Sequence, residues 1–128
     1  MTLRVAKLAL IMALALSYTL VVIGNLTDYD SNYQFVRHVL MMDSTFPGNH
    51  LMWRAIQSPA VHTSFYLGII GWEIATMLLL WIAATRIAKA LKKSSAEFHA
   101  AKSWAIAALT LSLLMCFWHS WLSVANGF

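Results

Sequence analysis

The sequence predicts an all-α membrane protein, a transmembrane three-helix bundle with short amphipathic helices in its outer loop. The first observation is composition: the 128 residues are 60% hydrophobic and 11% charged, whereas a soluble domain has about 25% charged residues. The second is that the apolar residues gather in three runs, each with roughly the 20 residues that a membrane-crossing helix needs. The third is that no run alternates polar and apolar residues over the length of a membrane-crossing strand. Each run is therefore predicted to be a helix, which forms its own backbone hydrogen bonds in lipid.

The same composition excludes several classes of function. A soluble domain of 128 residues keeps much of its surface exposed and cannot bury this much apolar area, which excludes soluble enzymes and soluble nucleic-acid-binding proteins. The single cysteine, Cys116, excludes an internal disulfide bond and a four-cysteine metal site. No phosphate-binding, metallopeptidase or serine-hydrolase motif occurs in the chain. We therefore expect neither an enzyme nor a metal centre.

The chain forms one membrane domain, residues 1–128, which divides into five parts. They are the first span (about 3–24), the outer loop (25–58), the second span (about 59–85), the inner loop (86–103) and the third span (about 104–125). The start of the second span is the clearest boundary, because Ser58 suits a helix cap and Pro59 suits the first helical position.

The positive charges predict how the spans are oriented. Nine Lys and Arg residues stand against five Asp and Glu residues, a formal net charge of +4. Seven of the nine bases lie at the start of the first span or follow the second span, and only Arg37 and Arg54 lie in the outer loop. Loops rich in Lys and Arg stay in the cytoplasm. We therefore expect a cytoplasmic N-terminus and inner loop, with the outer loop and the C-terminus on the opposite side.

Small residues recur at helical spacing in the spans. They form one narrow face of the second span and a similar face of the third span. These faces include Ser64, Gly68, Gly71 and Ala75 in the second span, and Ser112 and Cys116 in the third. Small side chains let membrane helices approach closely. We expect these faces to pack inside a compact bundle.

Glu73 is the acidic residue inside a predicted span. Near the middle of the second span, an acid costs about 2.5–3.5 kcal/mol on insertion scales. It shares a face with His62 and Tyr66, about 180° from the small residues of that span. One interpretation is a contact with a neighbouring helix or with another subunit, and the other is a carboxyl group in a proton or ion pathway. We favour the contact, with Tyr66 and His62 on the same contacting face.

His62 and His119 raise the question of a cofactor. Both lie near the outer ends of their spans, and two facing histidines could ligate a haem b. However, His62 lies on the Glu73 face and His119 lies on the small-residue face of the third span. Histidines satisfied at the membrane interface are the favoured interpretation, so we expect no cofactor, with haem b as the alternative.

The outer loop is the most informative stretch, because 34 residues are too many for a simple turn. Apolar residues that include Phe35 share one helical face, with Arg37 and His38 opposite. A second such pattern, around Trp53 and Arg54, precedes Ser58. These patterns predict two short amphipathic helices on the outer surface. They either cap the bundle or form a docking surface for a partner, and both roles are compatible.

The outer loop also carries a resemblance. The run FVRHVLMMDSTFPGN at 35–49, continued by LMWRAI at 51–56 and SPA at 58–60, resembles the bacterial family of predicted small integral membrane proteins, domain of unknown function 2165. The similarity extends over about residues 1–115. It implies a multi-pass protein of the bacterial inner membrane, with a periplasmic outer loop, but no reaction. Family members continue to a fourth hydrophobic segment, which we expect this chain to lack or to receive from a partner.

These features together favour a small accessory subunit that stabilises or docks within a larger inner-membrane complex, such as a respiratory or oxidoreductase complex. Its expected partners are the lipid bilayer and other membrane subunits, and not nucleic acid. One alternative is a haem- or quinone-binding membrane anchor, an analogy of architecture alone. Another is a protective or immunity protein that binds a toxin through its periplasmic loop.

Overall fold

The computed structural model of the chain describes residues 1–45 and 47–126, with side chains as far as Trp121, so Phe46 of the outer run lies outside it. Its elements in chain order are α1 (Thr2–Thr27), α2 (Tyr29–Met41), a 3₁₀ turn (Met52–Arg54), α3 (Pro59–Ala90) and α4 (Ser95–Asn126). The described residues contain no strand. Three of the helices, α1, α3 and α4, are long and apolar enough to cross a membrane. The predicted all-α class with three spans is confirmed.

Helix α3 is the centre of the bundle, and α1 and α4 both pack along it. Alanines are among the most buried residues of each helix: Ala15 of α1, Ala83 of α3 and Ala108 of α4 are all 0% exposed. Larger side chains such as Ile11 and Leu80 fill the core around them. Small side chains at these positions allow the helices to approach closely, which is how membrane helices gain packing energy in lipid.

The turn between α3 and α4 is shorter than the predicted inner loop. Helix α4 begins at Ser95 rather than near residue 104, because Ser94 and Glu97 form a capping box. The Ser94 N–H donates to Glu97 Oε2 at 3.2 Å, and the Glu97 N–H donates to Ser94 Oγ at 3.3 Å. This reciprocal pair satisfies two backbone donors at a helix start, so the polar residues that follow continue the helix.

Three hydrogen bonds fix the register of α1 against α3. Arg4 reaches the carbonyl of Leu91, Trp81 Nε1 donates to Thr19 Oγ1 at 3.1 Å, and Asn25 bonds to Glu73. The indole nitrogen of Trp81 therefore lies beside the second half of α1, and not at either end of that helix. The turns of α3 before Tyr66 extend beyond Asn25, near the end of α1, and α2 packs against α3 there.

The outer loop contains one of the two predicted amphipathic helices. Helix α2 matches the first, but the second is only the 3₁₀ turn Met52–Arg54. The chain is extended at Ala55 and again at Ser58, and the Ile56 N–H donates to the carbonyl of Leu40 at 2.9 Å. A proline disfavours the helical conformation of the residue that precedes it. Pro59 therefore favours the extended conformation of Ser58, and the long helix begins only at Pro59.

The small-residue face of α3 points outward, contrary to expectation. Ser64, Gly68, Gly71 and Ala75 are exposed. The opposite face is buried and lies toward α1 and α2. Its members, with their exposed fractions, are His62 (1%), Tyr66 (1%), Ile70 (5%), Glu73 (7%), Thr76 (0%) and Leu80 (0%). In α4, Ser112 is buried as predicted, whereas Cys116 is exposed.

Arg4 ties the start of α1 to the turn between α3 and α4. Its Nη1 donates to the carbonyls of Leu91 at 3.0 Å and Lys93 at 2.7 Å. Its guanidinium carbon lies 4.6 Å from the centre of the Phe98 ring. The carbonyls at the end of a helix have no helical partner and carry partial negative charge, so a cation there is stabilising.

We predict that Arg4→Gln lowers the free energy of unfolding by about 1–2 kcal/mol, because hydrogen bonds to charged groups and the helix-end interaction are both lost. Equilibrium unfolding in detergent micelles measures the change. Lys92→Gln is the matched control, since it removes one positive charge from an exposed side chain at the same turn. Equal losses in the two variants would show that Arg4 acts only through net charge.

Candidate functional site

A buried polar cluster lies where α1 ends against α3. Asn25 Nδ2 donates to Glu73 Oε2 at 2.6 Å. Tyr66 Oη lies 3.2 Å from the backbone carbonyl of Asn25, to which it donates. Tyr66 and Glu73 are seven residues apart on α3, which places both on the face toward α1. We call Asn25, Tyr66 and Glu73 the polar cluster.

The cluster changes the interpretation of Glu73. Its neighbour is Asn25, one residue beyond the predicted end of the first span, so Glu73 lies beside the end of α1 and not beside its middle. The carboxyl group contacts a neighbouring helix, as favoured above, and that helix belongs to the same chain. An acid beside the end of an apolar helix costs less than one at the centre of the bilayer.

Sequence reasoning missed Asn25. It is the first polar residue after the apolar run of α1, and this was the available signal. The distance of Glu73 from Pro59, at the start of α3, places Glu73 near the middle of that helix. Its level relative to α1 does not follow from this distance, because α3 has 32 residues and α1 has 26, and the two helices do not begin and end at the same levels.

Helix α2 covers the polar cluster with aromatic rings. The Tyr66 ring centre lies 4.9 Å from that of Tyr29, edge to face, and 6.0 Å from that of Tyr33. Such aromatic pairs contribute about 0.5–1.5 kcal/mol each beyond their buried area. Only Asp28 separates α1 from α2, so these contacts also fix the direction in which the chain leaves α1.

His62 anchors the extended segment before Pro59. It is 1% exposed, and its Nε2 donates to the carbonyl of Ile56 at 2.7 Å. To ligate a haem iron through Nε2, His62 would have to give up this bond. His119 lies on an exposed part of α4, so the two rings have different surroundings. The expectation of no cofactor and its alternative, haem b, both stay predictions, and in this structure His62 Nε2 is already engaged by Ile56.

The residues predicted for docking on the outer surface divide into two groups. Phe35 and Trp53 are 66% and 81% exposed. The polar members have partners within the chain: Arg37 donates to Gln34 Oε1 at 3.1 Å, His38 Nδ1 lies 2.8 Å from the Asp43 carboxylate, and the Arg54 guanidinium carbon lies 5.7 Å from the centre of the Trp121 ring. The outer segment therefore covers the bundle and also presents exposed aromatic side chains.

An apolar groove lies between the outer halves of α3 and α4. It has a volume of about 510 Å³. We call it the α3–α4 groove; its lining includes Ser64, Gly68 and Trp72 of α3 with Leu114, Phe117 and Trp118 of α4. At its inner end, Trp72 Nε1 donates to the carbonyl of Leu111 at 3.2 Å and holds the two helices together. The small-residue face of α3 thus forms part of a depression on the outside of the bundle.

Aromatic contacts connect this groove to the outer surface. The rings of Trp118 and Trp121 are 6.0 Å apart, and Arg54 lies over Trp121. Trp53, next to Arg54, is the most exposed large hydrophobic side chain of the described residues. A series of side-chain contacts thus leads from the α3–α4 groove to Arg54, the residue next to Trp53.

We predict that Glu73→Leu lowers the free energy of unfolding by about 1–2 kcal/mol, because the Asn25 amide is left without its acceptor. Glu73→Gln keeps an acceptor oxygen and should stay close to wild type. Unfolding of both variants, alone and combined with Asn25→Ala, forms a double-mutant cycle. An equal loss from Glu73→Leu with and without Asn25 would contradict the pairing.

The His38–Asp43 contact predicts a pH dependence at the end of α2. The hydrogen bond from His38 holds the pKa of Asp43 below its ordinary value. A lowered carboxyl pKa stabilises the folded state above the unfolded pKa, and this stabilisation is lost as the pH falls through the folded pKa. We expect His38→Ala to raise the Asp43 pKa in an NMR titration of its carboxyl carbon. The same substitution at exposed His50 should leave it unchanged, and equal shifts would refute the contact.

Comparison with known proteins identifies the family but not an activity. A search of curated proteins and a search of solved structures each give no match. The sequence profile of one family matches residues 3–126, nearly the whole chain, and its description is predicted small integral membrane protein. The match confirms the resemblance seen in the outer run. The chain belongs to this family of predicted small integral membrane proteins, domain of unknown function 2165.

Proposed function

We propose that this protein is a small accessory subunit of a larger inner-membrane complex, and that it docks on its neighbour through the α3–α4 groove. Its role there is to stabilise the assembly and not to catalyse a reaction. The observation that carries the proposal is an exposed face of small residues beside an apolar groove, in a chain that also exposes Trp53 on its outer segment.

The glycines of this face have no packing role inside the chain. A Cβ atom added at Gly68 or Gly71 would meet nothing within 4 Å. Glycine inside a helix costs roughly 1 kcal/mol relative to alanine, and neither position needs it for the bundle. Glycine on an exposed membrane-helix face suits the close approach of another helix. The face therefore fits a helix supplied by a second membrane protein.

The exposed aromatic side chains outside the groove support the same role. Trp53 and Phe35 lie on the outer segment with most of their surface uncovered. Aromatic residues are enriched at the centres of protein interfaces, where a few of them supply much of the binding energy. The neighbour that fits this surface has a transmembrane helix for the groove and an extramembrane part that reaches Trp53.

The charge distribution supports the proposed orientation in the inner membrane. The basic end of the bundle comprises the start of α1 and the region around the α3–α4 turn. Its bases are Arg4, Lys7, Arg86, Lys89, Lys92, Lys93 and Lys102, and its acid is Glu97. By the positive-inside rule this end faces the cytoplasm, and α2 faces the periplasm.

The exposure of Trp53 also favours a second candidate, a protective protein that binds a toxin at the outer surface. The two functions differ in the surface they need. Docking of a membrane subunit needs the glycine face of α3 within the groove, whereas a soluble toxin would reach only the outer segment. Substitutions at the two places therefore separate the candidates.

We predict that Gly68→Leu with Gly71→Leu abolishes co-purification of a stoichiometric membrane partner in mild detergent, because leucines fill the approach face. The isolated chain should be at least as stable as wild type, since both positions have open space for a Cβ atom and leucine favours the helix more than glycine does. Mass spectrometry of the complex from the native membrane measures the partner. Ala107→Leu, at an exposed position of α4, is the matched control and should retain it.

The other outcomes of this experiment are equally informative. A complex that contains only further copies of this chain would replace the accessory subunit with a homo-oligomer. A partner lost with Trp53→Ala but kept with the two leucines would favour the toxin-binding candidate. Recovery of the wild-type chain as a clean monomer would overturn the docking proposal.

A further inference from the structure

A second groove lies on the bundle between α1 and α4. It has a volume of about 570 Å³, and the apolar side chains that line it include Leu10 and Leu14 of α1, Ile106 and Leu109 of α4, and Ile87 of α3. Lys7 of α1 and Lys102 of α4 also line it. We call this the α1–α4 groove. It shares no lining residue with the α3–α4 groove.

The lining of the groove changes from charged at one end to mainly apolar along the rest of its length. Helices α1 and α4 run in the same direction, because each is antiparallel to α3. Lys7 and Lys102 are the lining residues of α1 and α4 nearest the basic end, and the lining residues beyond them are mainly apolar. Just past the far end, Tyr18 Oη donates to Ser112 Oγ at 2.9 Å and joins the two helices. The groove is thus charged at one end and bounded by a hydrogen bond at the other.

The length of the groove matches one leaflet of a bilayer. From Lys7 to Ser17, the first and last lining residues of α1, the helix rises roughly 15 Å. This is about half the ~30 Å thickness of the hydrocarbon core. An acyl chain of a lipid in the leaflet at the basic end would extend over the same distance, with its headgroup at the level of the two lysines.

The charges at this end favour an anionic headgroup. The acid of the basic end, Glu97, is 3.2 Å from Lys93 and accepts hydrogen bonds from Ser94. The ion pairs found among the described side chains do not involve Lys7 or Lys102. Ammonium groups bind phosphate oxygens readily, and each Lys near a membrane surface strengthens attraction to anionic lipids.

The same charges disfavour a second copy of this chain in the groove. A copy in the same orientation would bring its own basic end, with seven of the nine bases, to the level of Lys7 and Lys102. Like charges brought together in this way repel. A lipid phosphate instead supplies the opposite charge at that level.

We propose that the α1–α4 groove binds one anionic phospholipid, with an acyl chain along the apolar lining and the phosphate between Lys7 and Lys102. The site is independent of the α3–α4 groove and of any partner protein. Bound lipid covers the seam between α1 and α4, which otherwise meet mainly through their separate contacts with α3.

Native mass spectrometry of the full chain, purified in mild detergent and incubated with phosphatidylglycerol or phosphatidylcholine, tests the headgroup. We expect one retained phosphatidylglycerol and weaker retention of phosphatidylcholine. Lys7→Gln and Lys102→Gln should each weaken phosphatidylglycerol binding by about fivefold, from the usual contribution of one lysine near a membrane surface. Equal retention of the two lipids would overturn the proposal.

One matched control separates the groove from the general basic charge. Lys89→Gln with Lys92→Gln removes the same charge as Lys7→Gln with Lys102→Gln, from exposed positions of the basic end that do not line the groove. This double variant should change binding less than about twofold, because salt screens solvent-exposed charges that do not contact the phosphate. A loss equal to that of Lys7→Gln with Lys102→Gln would show diffuse attraction and refute a defined site.

Filling the groove provides a test that leaves the charges unchanged. Ala13 lines the groove and is exposed, so Ala13→Phe occupies the space of the acyl chain without disturbing the core. We expect it to abolish lipid retention, while Ala9→Phe, at an exposed position outside the lining, keeps it. Full retention by Ala13→Phe would exclude the groove as the site. Dissociation of a protein dimer by Ala13→Phe would show that a helix, not a lipid, occupies it.

Discussion

Helix packing around three buried alanines, one from each spanning helix, is the constraint on which this structure depends. Ala15, Ala83 and Ala108 are completely buried at the centre of the bundle. Lipid chains are as apolar as leucine, so membrane helices gain nothing by merely hiding apolar surface from lipid, and they hold together by packing and hydrogen bonds. The alanines fix which face of α3 turns inward. With that face inward, the opposite face of α3, which carries the glycines, is exposed.

The rotation of α3 also determines where its polar groups find partners. With Ala83 inward, His62, Tyr66 and Glu73 come to lie on the covered face. Each then bonds to a segment outside α3: His62 to Ile56, Tyr66 to Asn25, and Glu73 to Asn25. These bonds position α2 and the extended stretch before Pro59. These three side chains of α3, which sequence periodicity places on one face, thus hold the outer segment in position.

Much of the architecture could be predicted from the sequence, because long apolar runs and basic flanks are local signals. The three spans, the helix of α2 and the boundary at Pro59 are of this kind. The direction in which α3 faces could not be predicted. Both of its faces carry residues suited to helix contacts, glycines on one and polar side chains on the other. Only the alanines supplied by α1 and α4 decide between them, and these are distant in sequence.

The partner of Glu73 escaped prediction for a related reason. The position of Glu73 along α3 does not by itself give its depth in a bilayer, because that depth also depends on the axial offset of α3 relative to the other helices. Arg4, at the opposite end of α1, helps to set this axial offset through its hydrogen bonds to the α3–α4 turn. The candidate surfaces behave similarly, since the exposed face of α3 becomes a groove only when α4 lies beside it.

The unequal lengths of α1 and α3 have a consequence for the membrane that this protein can occupy. The apolar part of α1 ends at Asn25, which belongs to the polar cluster. A thicker bilayer would draw Asn25 and Glu73 into hydrocarbon or force α1 to tilt, each at a cost that grows with the mismatch. A thinner bilayer would instead leave more of the outer half of α3 outside the hydrocarbon, where α2 covers one of its faces. The apolar length of α1, the shortest of the spanning helices, therefore limits the hydrocarbon thickness that the protein tolerates without tilting.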